Sequence, residues 1–212
     1  MADIFDPDCR RCIRLATFLD TVKAEHPDYF CAPVPAFGVP EPGLLIVGLA
    51  PGMHGANASG RPFTGDHAGI LLYATLHRFG FASAPESVAA DDGLQLIDCR
   101  ITNAVKCLPP ANKPTGGEIR ECNAFLAAEL ADLPPQAVIL ALGRVAHEAV
   151  VRALGGRQAD HRFAHGAEHR LAGRTLLDSF HCSRYNTQTK RLTPAMFEAV
   201  FATARERLEA AR

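Results

Sequence analysis

Four short apolar runs punctuate the chain, at residues 44–50 (LLIVGLA), 96–104 (LIDCRITNA), 137–143 (AVILALG) and 174–181 (RTLLDSFH). Their apolar positions run on rather than alternate, the pattern of strands covered on both faces. Helical periodicity fills the intervals. Residues 67–79 carry Ile70, Leu71, Tyr73, Ala74 and Leu76, and residues 118–133 place Ile119, Cys122, Leu126 and Leu130 on one face. Residues 144–154 follow the third run directly, and a first helix is expected over residues 8–25. Thr193-Pro194 supplies the cap and first turn of a last helix that runs to the end of the chain. Alternation of strand and helix predicts parallel βαβ units, hence an α/β fold: a three-layer α/β/α sandwich around a central, mainly parallel four-stranded sheet. Residues 161–173 should add a short antiparallel strand, and residues 27–42, with five prolines, an irregular crossover. Nothing divides the chain, so residues 1–212 read as one domain.

Composition narrows the class. A chain of 212 residues is long enough for one core. With 48% hydrophobic and 21% charged residues, whole-chain disorder is excluded. No run approaches the ~20 apolar residues of a membrane span, and MADIFDPDCRRC lacks the apolar segment of a secretory signal. Seven cysteines then point to a reducing, cytoplasmic setting. The net charge of −1 argues against a generally basic nucleic-acid binder, yet the charge is unevenly placed. Windows 48–65 (Arg61), 99–117 (Arg100, Lys106, Lys113) and 181–192 (Arg184, Lys190, Arg191) contain no acid and carry +7 against −8 elsewhere. Ligands of open parallel sheets bind beyond the carboxyl ends of strands, and these windows follow the first, second and fourth runs. Topology gathers the positive charge on one edge, a footprint for nucleic acid rather than scattered loops.

The turn after the first run has no GK[ST] ending and no G-x-G-x-x-G spacing, so neither standard nucleotide loop is present. Glycines 48, 52, 55 and 60 mean either a tight turn or a backbone that approaches a ligand. Cys9-x-x-Cys12 is expected at the start of the first helix with both sulfurs on one face. Cys107 and Cys122 form a second, looser pair. The second CxxC of a zinc ribbon is missing, and four thiolates so spaced suit a [4Fe–4S] cluster, against the plainer reading of packed thiols. Cys99 faces the core with Ile97 and Ile101, Cys182 has no evident partner, and Cys31 stays open as a ligand. His181 ends a strand at a basic, hydroxyl-rich loop, a place for hydrogen bonding to a ligand. His54 and His67 read as polar loop residues, and the i, i+4 histidines 161, 165 and 169 surround Gly166 in strand-like sequence, which disfavours a metal site there. Phe63 is core, or a stacking platform in a ligand loop.

Together, GLAPGMHGANASGRPFTGD, ITNAVKCLPPANKP and HCSRYNTQTKRLTP resemble the three motifs of the uracil-DNA glycosylase superfamily. The first is most similar to the iron–sulfur type-B branch, often called family 5. The type-A branch has GEAPG where this chain has Leu49, and the usual HPS reads HCS here. The resemblance implies a monofunctional DNA-repair enzyme that flips out and excises uracil, and other deaminated bases such as hypoxanthine, leaving an abasic site. It implies catalysis by Asp66, Asn103 and His181, base binding by Gly48, Ala50, Gly52, Phe63 and Asn103, and DNA contacts by Asn57, Arg61, Lys113, Ser183, Arg184 and Tyr185. Cys9, Cys12, Cys107 and Cys122 would hold the [4Fe–4S] cluster. The partner is damaged DNA, with no membrane role, and the enzyme is expected as a monomer. The rival expectation is a non-catalytic iron–sulfur nucleic-acid-binding protein of the same fold, its chemistry lost with the carboxylate at position 49.

Overall fold

Residues 5–211 are described by a computed structural model; residues 1–4 and Arg212, which the one-domain reading and the last helix include, lie outside it. The strands are β1 (Phe37–Gly38), β2 (Leu44–Gly48), β3 (Cys99–Asn103), β4 (Val138–Leu142), β5 (Glu168–Leu171) and β6 (Arg174–Ser179). They form one sheet in the order β1-β3-β2-β4-β6-β5. The central four are parallel and correspond to the four apolar runs, trimmed at their ends. β1 and β5 pair antiparallel at the two edges and extend the expected central four strands to six. β5 lies within the segment expected to add a strand. β1 lies in the proline-rich crossover, where two residues are too few to show periodicity. It depends on Gly38, whose φ is 125° and where a Cβ would collide with the Cys99 carbonyl.

Pleating sends Leu44, Ile46, Val138, Leu140 and Leu177 to one face, under α3 (His67–Arg78) and α7 (Pro194–Ala210). Leu45, Val47, Ile139, Ala141 and Leu176 go to the other, under α4 (Gly116–Ala131) and α5 (Arg144–Ala153). Every residue of β2 and β4 is buried, which is why these strands show continuous apolar runs. Thr115 and Glu118 form a capping box that starts α4 two residues before the expected position. Thr193 caps α7 as expected, accepting from Met196 N at 3.2 Å. Two short helices, α2 (Ala56–Ser59) and α6 (Arg184–Gln188), lie in the ligand-side loops.

A satellite core joins α1 (Ile13–Glu25) to the sheet, with Leu15, Leu19 and Val22 against Val105, Leu108 and Phe125. α1 begins later than expected. Asp6 holds a turn through Asp8 N and Cys9 N, and Cys12 is extended (φ −93°, ψ 91°) as the N-cap. Cys9 and Cys12 therefore do not share a helical face, which corrects that expectation.

Candidate active site at the strand ends

A cavity of about 1100 Å³ opens at the carboxyl ends of β2, β3, β4 and β6. Gly48 ends β2 beside Asn103, which ends β3. A Cβ at Gly48 would collide with the Asn103 amide and the Phe63 ring, so glycine lets both side chains close over the strand end. Phe63 takes the left-handed region (φ 55°), unfavourable by about 1–3 kcal/mol for a bulky residue. Tyr73 offsets this by donating its hydroxyl to Pro62 O at 2.8 Å, and Gly69, without a Cβ, admits the Phe63 carbonyl. The Phe63 ring stacks on His181, with centroids 5.8 Å apart and planes at 29°.

Asp66 is the N-cap of α3. Its Oδ1 accepts from Gly69 N at 2.8 Å, while Oδ2 faces the Cα of Gly52 and Gly55. Burial pushes the Asp66 carboxyl above its ordinary value of 3.8, against the pull of the Gly69 and Ala68 N–H groups. Burial lowers His181 to about 4, so its imidazole is neutral near pH 7. His181 Nδ1 and Asn103 Oδ1 are sealed from water and, among the described residues, have no hydrogen-bond partner. The loop after β6 is braced by its own side chains: Asn186 Nδ2 donates to the His181 carbonyl at 2.8 Å, and Ser183 Oγ accepts from Asn186 N at 3.4 Å. Cys182 turns into the core and leaves the cavity wall to its neighbours. Leu49, Ala50 and Gly52 line the wall, as does His54, whose Nδ1 meets Tyr29 Oη at 2.9 Å.

Two residues expected on DNA are turned inward. Arg61 is 5% exposed, pairs with Asp92 at 2.6 Å and donates to Thr64 Oγ1, Ser87 Oγ and the Ala89 carbonyl. Asn57 is fully buried, with Nδ2 donating to Cys31 Sγ at 3.4 Å. Arg61 is thus committed to partners within the protein, whereas Asn57 is buried and among the described residues its Oδ1 has none. Lys106 likewise pairs with Glu129 at 2.8 Å, and Arg100 lies toward the far end of β3. Of the basic residues in the three windows, Arg184 and Arg191 stand on the cavity wall, with exposed Lys113 beside Asn112. Tyr185 is 70% exposed next to them. Sequence reasoning gave no ligand-binding role to Asn112, Arg144, Phe163 or His165, all on the wall. Arg144 directly follows β4, so treating that strand end like the other three finds it. Phe163 and His165 follow no apolar strand and carry no such signal.

The sequence model of the Uracil DNA glycosylase superfamily matches residues 35–205. The chain belongs to the uracil-DNA glycosylase superfamily. It is 47% identical over 203 residues to the type-5 uracil-DNA glycosylase of Thermus thermophilus, covering 93% of this chain and 92% of the relative. The type-5 uracil-DNA glycosylase of Mycobacterium leprae is 44% identical, covering 93% of this chain and 90% of its own length. A type-4 uracil-DNA glycosylase of Pyrobaculum aerophilum matches less of the chain, 58%, at 36% identity.

This glycosylase-superfamily chain also gathers thiols at the end of the sheet beside α1. Cys9, Cys12, Cys107 and Cys122 line one small void with Leu15, Ala16, Val105 and Phe125. Lys106 N donates to Cys122 Sγ at 3.2 Å. Burial raises the Cys122 thiol to about 11 and the Cys107 thiol to about 12, and charge on the neighbouring sulfurs adds to both. Thiols held so high stay protonated at neutral pH unless a cation draws the proton away. Cys31, though partly buried nearby, accepts from Asn57 instead.

Proposed function

We propose that this protein hydrolyses the N-glycosidic bond of uracil in DNA, with Asn103, His181, Phe63 and Asp66 carrying the step. The observation behind this reading is the pair of sealed polar atoms without partners, Asn103 Oδ1 and His181 Nδ1, on one cavity wall with an aromatic ring and a carboxylate. An unsatisfied buried polar group is unfavourable by about 1–3 kcal/mol, and a rotation of either side chain toward the cavity would let a ligand atom remove that deficit. A base inside a duplex is out of reach, so it must be flipped into the cavity. Exposed Tyr185 and Arg184 wedge the stack, while Lys113 and Ser183 meet the backbone. Phe63 stacks on the base, and the Asn103 carboxamide accepts from N3–H and donates to O4, which rejects cytosine.

As the bond breaks, its electron pair leaves with the base and positive charge builds on the sugar. Neutral His181 donates to the carbonyl oxygen where negative charge develops, with the Ala50 and Gly52 N–H groups on the same cavity lining. Ionised Asp66, fixed by the Gly69 N–H, orients water toward the sugar carbon and supplies the carboxylate that Leu49 lacks. Asn103 shares that task. Gly52 leaves open space toward Asp66, where a Cβ meets only Oδ2 at 3.7 Å. Room there favours hypoxanthine and other deaminated bases as further substrates.

The reading includes a [4Fe–4S] cluster on Cys9, Cys12, Cys107 and Cys122. All four donors are thiols facing one void in an apolar shell, which suits iron–sulfur chemistry. A single tetrahedral zinc at about 2.3 Å would draw its sulfurs to within ~3.8 Å of one another. Among the described residues, the group whose ligand atoms all lie within 4.8 Å is instead His147, His169 and Asp178. The wider thiol cage matches a polynuclear centre. Its role is structural, fastening α1 to the 107–122 segment. We also read the protein as a monomer acting in the cytoplasm; among the described residues no helix is long and apolar enough to cross a membrane.

Single-turnover cleavage of uracil- and hypoxanthine-containing duplexes, by protein assayed for iron and acid-labile sulfide, tests this reading. Both duplexes should be cleaved, and iron and sulfide should be present in equal amounts. The rate should fall as pH drops through the Asp66 pKa, above the ordinary 3.8. In Asp66→Asn that acid limb should vanish and the rate should drop by about 10²–10⁴-fold. Intact DNA, or an unchanged step in Asp66→Asn, would overturn the assignment.

A further inference from the structure

Behind one wall of the cavity lies a buried polar network that the proposed chemistry leaves unused. Phe163, Ala164 and His165 line the cavity from a segment outside any helix or strand. Its backbone is nevertheless pinned. His147 Nε2 donates to the His161 carbonyl at 2.8 Å, and Ala164 N donates to Asp178 Oδ2 at 3.4 Å. Gly166 N donates to the Asp178 carbonyl at 2.8 Å, and Asp178 N to the Ala167 carbonyl at 3.0 Å. All four bonds lead to Asp178 of β6 and His147 of α5, exposed by 0% and 1%. These two meet at 2.7 Å (Nδ1 to Oδ1), and His169 Nε2 of β5 lies 3.0 Å from Asp178 Oδ2.

A backbone carbonyl only accepts, so His147 Nε2 carries hydrogen, and His147 Nδ1 shares a second hydrogen with Asp178 Oδ1 across 2.7 Å. Burial pulls the His147 pKa down, but the Asp178 bond and charge outweigh this and raise it above the ordinary 6.5. A metal does not suit the gap: two ligands at about 2.0–2.1 Å from one tetrahedral ion stand ~3.3 Å apart, wider than the 2.7 Å seen. The other groups around His147 are the His169 imidazole, itself edge-on to the His161 ring at 5.8 Å, the Phe163 ring at 5.7 Å, and Glu148 on its own helix. From α4, Asn123 bonds the Ala149 carbonyl of α5. Buried ion pairs add little stability over apolar packing, so the gain here is fixed geometry.

We infer that Asp178, with His147 and His169, is a positioning residue that hangs the Phe163–His165 wall on the sheet and so sets which bases the cavity admits. The wall leans on Phe180, next to His181: His165 stacks on its ring at 5.0 Å and accepts from its N–H at 3.1 Å. The selectivity half of this inference rests on the glycosylase reading, whereas the pinning of the wall does not.

Amide hydrogen exchange on the protein alone, with single-turnover cleavage alongside, separates the two. In Asp178→Asn, amides of 161–167 should exchange roughly tenfold faster than in the parent while those of β2 and β4 keep their rates. The half-saturating DNA concentration should rise, and hypoxanthine cleavage should change relative to uracil more than the uracil rate itself. His147→Gln retains one donor for the His161 carbonyl and should keep part of the protection that Asp178→Asn loses. A raised His147 pKa makes wall protection complete below pH 6.5 and lost as pH rises through the raised value, after correction for intrinsic exchange. His169→Gln provides a second, milder break should Asp178→Asn fail to fold. Unchanged exchange over 161–167, or equal acceleration across the whole sheet, would sink the inference whatever the cleavage results.

Discussion

Arg61 and Asn103 are both buried polar side chains, 5% and 3% exposed. Arg61 directs its guanidinium to Asp92, Thr64, Ser87 and the Ala89 carbonyl. Asn103 keeps an amide oxygen that no protein group satisfies. The same contrast separates the Asp178 network from His181. The Asp178 network uses its polar atoms on neighbours within the chain, whereas His181 in the cavity leaves Nδ1 without one. Burial alone therefore says little about function. Whether the buried group is already satisfied separates scaffold from socket, because a satisfied group gains nothing from a ligand and an unsatisfied one does.

The sharpest break of this comparison is a pair of substitutions with opposite readouts. Asn103→Ala should slow the single-turnover cleavage of uracil DNA by about 10²–10³-fold. Thermal stability should hold or rise, since a buried orphan has been removed. Arg61→Ala should do the reverse. It strands Asp92, whose carboxyl the Arg61 bond and three N–H groups hold well below the ordinary 3.8 despite the opposing desolvation. Loss of the pair should lower stability by on the order of 3 kcal/mol, read by denaturant unfolding, with cleavage of saturating DNA near the parent rate below the new midpoint. Stability lost in Asn103→Ala, or activity lost in a folded Arg61→Ala, would erase the distinction.

The sequence conveys this division only in part, for reasons that can be named. Parallel strands are legible because burial on both faces writes itself as an unbroken apolar run, as in β2 and β4. α7 is legible because Thr193 and Pro194 announce it locally. The strand-end rule brought Asp66, Asn103 and His181 to one wall without any knowledge of distances. What stays hidden is long-range. Arg61 looks like a loop cation until Asp92, 31 positions on, folds under it. Asp178 looks like one more strand residue until His147, 31 positions back, meets it. Local pattern also misplaced Cys9 and Cys12 on a helix, because the Asp6 turn that holds them outside has no periodicity to read.

The smallest expected effect sharpens the comparison at the rim, where charges are satisfied neither by protein nor by burial. Lys113 has its carbonyl fixed by Arg14 Nη2 at 3.1 Å while the residue itself stays exposed, and Arg184 is exposed at the first position of α6. A side chain in this state gains by releasing counterions from a phosphate, so each one that does so adds about 0.9 to the slope of log affinity against log salt. Lys113→Ala and Arg184→Ala should each reduce that slope by about this amount, equally for uracil-containing and undamaged duplexes. Arg61→Ala should leave the slope unchanged, because its charge already belongs to Asp92. Titrating binding over a range of salt with all three variants measures this directly. A slope that falls in Arg61→Ala but not at the rim would move the DNA surface to the buried-arginine side of the loop and reverse the roles assigned to the two arginines.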